Sequence, residues 1–176
     1  MRGVCWFHGG KAIEHDFFGV LESGPDGSIF WSENIELGDQ SVTVDLTAPD
    51  QDDVSSAALD MAATLVSSIE EVDRRARDAM LSLFDDRTSE VTEYIIQQQE
   101  TLGDDIEGML TDISGDIAVD VIRSLQLMSM TILADEMGTG DPFAVLEYAL
   151  DPDATDDVLL VNMSSDGDVQ SVTSAE

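Results

Sequence analysis

The chain has 176 residues and sets 38 Asp and Glu against 7 Lys and Arg, a formal charge of -31 at neutral pH. That balance excludes nucleic acid and anionic membrane as partners, because phosphate surfaces are gripped by cationic side chains, here only Arg2, Lys11, Arg74, Arg75, Arg77, Arg87 and Arg123. A protein partner is expected to be basic.

A second source of the acidity is a salt-rich cytosol, which selects Asp and Glu surfaces and little Lys for solubility without reference to any partner. Apolar residues at 43% argue against wholesale disorder. A single domain spanning 1–176 is expected, and at this length it buries about 70% of its unfolded surface. Residues 1–15 and 173–176 are expected to be poorly ordered. Cys5 stands alone, so no internal disulfide can form. No stretch approaches the ~20 apolar residues of a membrane helix, and the N-terminus lacks a leader-like apolar core. A soluble, cytoplasmic protein is expected.

From Phe17 to Leu46 three runs alternate apolar and polar residues: Phe17-Gly19-Leu21, then Phe30 to Leu37, then Val42-Val44-Leu46. The spacing predicts a meander with turns at Gly24-Pro25-Asp26-Gly27 and Gly38-Asp39-Gln40. Pro49 to Asp53 ends the sheet and supplies carboxylates to a following helix start. One long helix is predicted over Val54 to Phe84, where Leu59, Ala62, Leu65, Val66, Ile69, Val72, Ala76, Met80 and Leu83 recur at helical spacing without Pro or Gly. Arg74, Arg75 and Arg77 on it are expected to point outward and pair with Glu70, Glu71 and Asp78.

Ser89 reads as the N-cap of a second helix that Gly103 stops, with Val91, Tyr94, Ile95 and Leu102 facing inward. Ile106, Met109, Leu110 and Ile113 mark a weaker third, and Asp116 to Arg123 a further helical turn. Leu125 to Ile132 alternates as a strand does and is read as one, the alternative being an extension of the preceding helix. Phe143 to Leu150 and Val158 to Met163 have strand length, and Asp166-Gly167 marks a closing hairpin. The fold class expected is α+β: an antiparallel sheet from the N-terminal meander and the C-terminal strands, packed on one long and two or three shorter helices.

Parts of this pattern resemble a bacterial family catalogued as a domain of unknown function. The resemblance runs through Trp31-Ser32-Glu33-Asn34-Ile35-Glu36-Leu37 with Val42-Thr43-Val44-Asp45-Leu46, Ser89-Glu90-Val91-Thr92-Glu93-Tyr94-Ile95, and Asp157-Val158-Leu159-Leu160-Val161-Asn162-Met163 with Asp166-Gly167. That family often carries a His a turn after the Tyr-Ile pair, where this chain has Gln98. Members sit among candidate immunity proteins beside toxin genes, so the resemblance implies binding rather than catalysis.

The residues themselves point the same way. Cys5, His8 and His15 offer metal-ligand types and with them a third alternative, a metal-dependent enzyme, but they lack the paired spacing of zinc sites. His8-Gly9-Gly10 has no Gly-x-Ser-x-Gly elbow or downstream His to work with, which excludes an esterase triad. Asp151, Asp153, Thr155 and Asp157 alternate like the first ligands of an EF-hand, yet position six is Asp156 instead of Gly, and position twelve is Asn162 instead of Glu. Adjacent pairs such as Asp52-Asp53 and Glu70-Glu71 show no sign of pKa values held apart, as acid-base catalysis requires. No cofactor signature occurs. The residues singled out as contacts for a basic protein are therefore loop acids: Asp50, Asp52, Asp53, Asp85, Asp86, Asp104 and Asp105.

Overall fold

The structure, a computed structural model, describes residues 12–176. Its core is a six-stranded sheet with strand order β3-β4-β5-β6-β7-β8 and helices packed against it, an α+β fold; a separate two-stranded ribbon joins β1 to β2.

The ribbon is β1 (Ala12–His15) and β2 (Gly19–Glu22), paired antiparallel. Phe18 between them is buried and stacks edge-on to Trp31, at 4.8 Å between ring centroids. Two expectations are corrected here. The Phe17–Leu21 run does not enter the main sheet, and the part of 1–15 that is described is strand. The meander proper is β3 (Ile29–Leu37) and β4 (Gln40–Ala48), joined by Gly38-Asp39. Gly38 has φ +60° as the first residue of a two-residue hairpin, the conformation for which a type II′ turn selects glycine.

After a 3₁₀ turn at Gln51–Asp53 come α1 (Ser56–Ser67) and α2 (Ile69–Leu83). The single long helix is thus broken. Ser68 leaves helical geometry at φ -113°, ψ 33°, and its hydroxyl donates to the Thr64 carbonyl at 2.6 Å, a side-chain competitor for the backbone ladder. The apolar stripe runs through the break, so periodicity alone did not reveal it. Ser89 caps α3 (Glu90–Leu102) by accepting from the Thr92 amide, and Gly103 ends it at φ +54°. The weak third helix is a 3₁₀ segment, Gly103–Met109, and α4 (Ile117–Ser124) starts at Asp116, whose carboxylate accepts from the Ala118 and Val119 amides.

Then β5 (Gln126–Leu133), β6 (Ala144–Ala149), β7 (Val158–Met163) and β8 (Val169–Ala175) complete the sheet. The tail expected to fray is strand through Ala175. Every pairing is antiparallel except β4 with β5, which run parallel from Thr43 opposite Ser129 to Thr47 opposite Leu133. The crossover between them contains all four helices. A parallel pair requires such a long connection, and this one lays the helices across one sheet face.

That face carries Val42, Val44 and Leu46 of β4, Met130 and Ile132 of β5, Leu146 and Tyr148 of β6, and Val161 and Met163 of β7, all essentially inaccessible. They form one apolar cluster with Leu59, Ala62, Val72, Ala76 and Met80 of the first two helices and Tyr94 of α3. Each large side chain so buried stabilises the fold by about 2 kcal/mol. On the other face Thr43, Asp45, Thr47, Thr131, Val145, Leu160 and Asn162 are only half-buried.

Candidate functional site

Ladder registers fix which connections share an end of the sheet. Ile29 lies opposite Ala48, Thr47 opposite Leu133, Ile132 opposite Ala144, and Ala144 opposite Met163. The β2–β3, β4–α1, β5–β6 and β7–β8 connections therefore emerge together. They bring Asp26, then Asp50, Asp52 and Asp53, then Asp135, Glu136 and Asp141, then Asp166 and Asp168 to one end.

Backbone bonds lock the first two of these segments to each other. The Gln51 amide donates to the Gly27 carbonyl at 2.9 Å, and the Asp50 carboxylate accepts from the Asp52 amide at 2.9 Å. Asp26 accepts from the Ser28 hydroxyl at 2.6 Å and the Ser28 amide at 3.1 Å, which hold its carboxyl below the usual range. Among the described residues the guanidinium that touches this end is that of Arg75. It donates to the Gly167 carbonyl at 3.3 Å while paired with Glu71 at 3.1 Å.

The other acids singled out from the sequence do not join this group. Asp85 and Asp86 lie between α2 and α3, and Asp86 is a turn-building residue. Its carboxylate accepts from the Thr88 amide at 2.9 Å and hydroxyl at 2.7 Å, which lower its pKa, backbone bond first. Asp104 and Asp105 are exposed in the first turn of the 3₁₀ segment after α3. The seven loop acids therefore occupy three places, and only Asp50, Asp52 and Asp53 become part of a larger acidic end.

The ionisable groups that converge inside the molecule serve as fastenings. Asp73 on α2 accepts the Tyr148 hydroxyl at 2.8 Å and the Arg77 Nε at 3.1 Å. Arg77 donates onward to the carbonyls of Ile122 at 3.1 Å, Arg123 at 3.2 Å and Leu125 at 2.8 Å, at the end of α4, where the helix leaves carbonyls without an intrahelical partner. Its guanidinium carbon lies 5.3 Å from the Tyr148 ring centroid. This corrects the expectation that all three arginines point outward. Arg74 does, pairing with Glu71 and Asp78, whereas Arg77 turns inward.

Gln98, where the resembling family often has His, is fully buried and donates to Asp157 at 3.0 Å. Gln97 donates to the other oxygen of the same carboxylate at 3.0 Å, and Thr155 donates to Gln98 at 3.3 Å. Asp157 thus ties the β6–β7 connection to α3, and the alternating acids of 151–157 do not converge. His15 meets Asp60 of α1 at 3.0 Å, while Cys5 and His8 lie outside the described residues. Among the described residues no group of three His, Cys, Asp or Glu is placed to hold a metal ion, and no helix is long and apolar enough to cross a membrane.

No family model, curated protein or solved structure matches the chain.

Proposed function

We propose that this is a non-catalytic binding protein of the cytoplasm whose partner is a basic protein. The observation that carries the reading is the shared sheet end, where four connections gather Asp26, Asp50, Asp52, Asp53, Asp135, Glu136, Asp141, Asp166 and Asp168. Such an end steers a cationic surface toward it, at rates that fall as salt screens the field. A toxin whose own site reads phosphates presents a surface of that kind, in keeping with the immunity-type resemblance.

The test is capture from the native host at low and high salt, followed by titration of the captured polypeptide against the wild type and against Asp50→Asn/Asp52→Asn/Asp53→Asn. Asn keeps the turn acceptor and removes the charge. A basic polypeptide that binds about tenfold more weakly to the variant supports the reading, as expected if each charge contributes a few tenths of a kcal/mol to ~1 kcal/mol. Recovery of no basic polypeptide, or equal binding to both forms, overturns it.

A second reading, a housekeeping domain of a salt-adapted cell, draws on the opposite sheet end. Asp39, Asp151, Asp153, Asp156 and Asp157 lie there, so negative charge is not confined to one end. A host proteome acidic throughout, together with empty captures, favours that reading.

A further inference from the structure

We propose that the outer edge of β3 is a strand-addition site for an extended segment of a basic protein. The proposal rests on the partner class argued above and adds where, and by what bonds, that partner is held.

The hairpin closes on the pair Leu37 and Gln40, which a two-residue turn makes a hydrogen-bonded pair. Alternation along the antiparallel ladder then commits the backbone groups of Ile35, Glu33 and Trp31 to β4 and turns those of Ser32, Asn34 and Glu36 outward. Among the described residues β3 is an edge of the six-stranded sheet, and the chain after β2 pairs with it only at an isolated bridge from Ser23 to Ile29.

The two edges of the sheet are treated differently. At β8 a register shift interrupts the ladder near Met163, and the Glu90 carboxylate accepts both the amide and the hydroxyl of Ser174. A bulge and a side-chain cap of this kind discourage an added strand. Among the described residues β3 has neither device: its register is unbroken over nine residues, with no Pro or Lys among them.

A cavity of about 590 Å³ flanks the distal half of β3, between the strand and the α1–α2 junction. Ile35, Leu37, Val66 and Ile69 give it an apolar floor, and Glu36 and Glu70 stand at its rim. Side chains of an added strand alternate faces, so every second one enters this groove. Arg74 at the same rim is already bound to Glu71 at 2.7 Å and Asp78 at 2.6 Å. Among the described residues no cation pairs with Glu33, Glu36 or Glu70. A second copy would bring its own Glu33 and Glu36 to the same place, on a body carrying -31. A strand alternating apolar and cationic residues pairs its backbone with the edge, lays its apolar side chains on the floor and turns its cations to the other face, where Glu36 stands.

The test uses the full chain at low salt and a synthetic peptide of alternating Lys and Val, with amide hydrogen exchange and binding titration as readouts. The peptide is expected to slow exchange at Ser32, Asn34 and Glu36. Asn34→Pro deletes an outward donor without taking a backbone bond from the β3–β4 ladder, although it also removes the acceptor of the Thr43 hydroxyl, a loss that Asn34→Ala measures alone. Asn34→Pro is expected to weaken binding about tenfold or more, as is N-methylation of the peptide along one edge. If Asn34→Pro fails to fold, as judged by circular dichroism, the N-methylated peptide on the wild type decides.

Equal binding of the plain and N-methylated peptides overturns the proposal. If Asp50→Asn/Asp52→Asn/Asp53→Asn then loses the captured partner, the binding reading stands without it; if no basic ligand binds any form, both fall. Slowed exchange at the same amides that rises with protein concentration, without peptide, assigns the edge to a second copy and also overturns the proposal.

Discussion

Tyr148 on β6 donates its hydroxyl to Asp73 on α2 at 2.8 Å, and the same carboxylate holds Arg77 against the end of α4. One acid thereby joins the sheet, the second helix and the last helix before the parallel strand. The carboxylate and guanidinium are each about one-fifth exposed, so water screens the pair only in part.

Removing the Tyr148 hydroxyl should show how much this junction contributes. Tyr148→Phe is expected to lower unfolding free energy by about 2 kcal/mol, the range for a hydrogen bond to a charged acceptor. Asp73→Ala should cost more, about 3 kcal/mol, because it leaves a largely buried guanidinium without its counter-charge. Urea denaturation of the two single variants and the double variant measures the coupling; additive losses would show that the hydroxyl and carboxylate act independently.

Alkaline pH should weaken the fold through its two buried tyrosines. Burial pushes the Tyr94 hydroxyl up to about 12, and burial together with the neighbouring Asp73 charge pushes that of Tyr148 higher still. Since the folded-state values lie above the unfolded value of about 10, their contribution is complete below pH 10 and is lost as pH rises beyond it. Thermal melts should be flat in this respect from pH 8 to 10 and fall above it, with tyrosinate absorbance at 295 nm appearing together with unfolding. Ionisation of both tyrosines in the intact fold near pH 10 would contradict the packing described.

Two glycines with positive φ should respond unequally to alanine. At Gly38, φ +60°, an added Cβ meets nothing within 4 Å, so the cost is conformational, about 1 kcal/mol. At Gly167, φ +79°, the same carbon would lie 3.2 Å from Leu65 Cδ2 and 3.4 Å from Arg75 Nη1. Gly167→Ala is expected to cost about 2 kcal/mol or more, conformation and crowding together. Chemical denaturation of both variants checks the order, and equal losses would deny the helix–turn contact.

Added salt should raise the melting temperature. A body carrying -31 repels itself more when compact than when unfolded, and counterions screen that cost. Calorimetry from low to molar NaCl should show a steady upward shift; a flat response would mean that the carboxylates are already compensated.

Elements governed by neighbours in sequence are legible in the sequence itself. Ser89 and Gly103 bound α3, Gly38 turns the β3–β4 hairpin, Asp166-Gly167 turns the last, and the alternation through Leu125 to Ile132 is a strand. Of the candidate site, Asp50, Asp52 and Asp53 were legible as acids ending a strand. Their company was not, because Asp26, Asp135 and Asp166 reach the same sheet end only through strand registers.

What the sequence by itself determined, then, is the set of elements and the sign of the surface. A cap, a turn or an apolar stripe is decided within a few residues, and charge is a sum over side chains. The tertiary structure alone decided that β4 and β5 run parallel, that the long helix breaks at Ser68, that Arg77 turns inward, and that Glu90 covers one sheet edge while no described residue covers the distal half of the other. Those choices depend on which distant groups meet once the apolar faces are buried, and no local pattern encodes that.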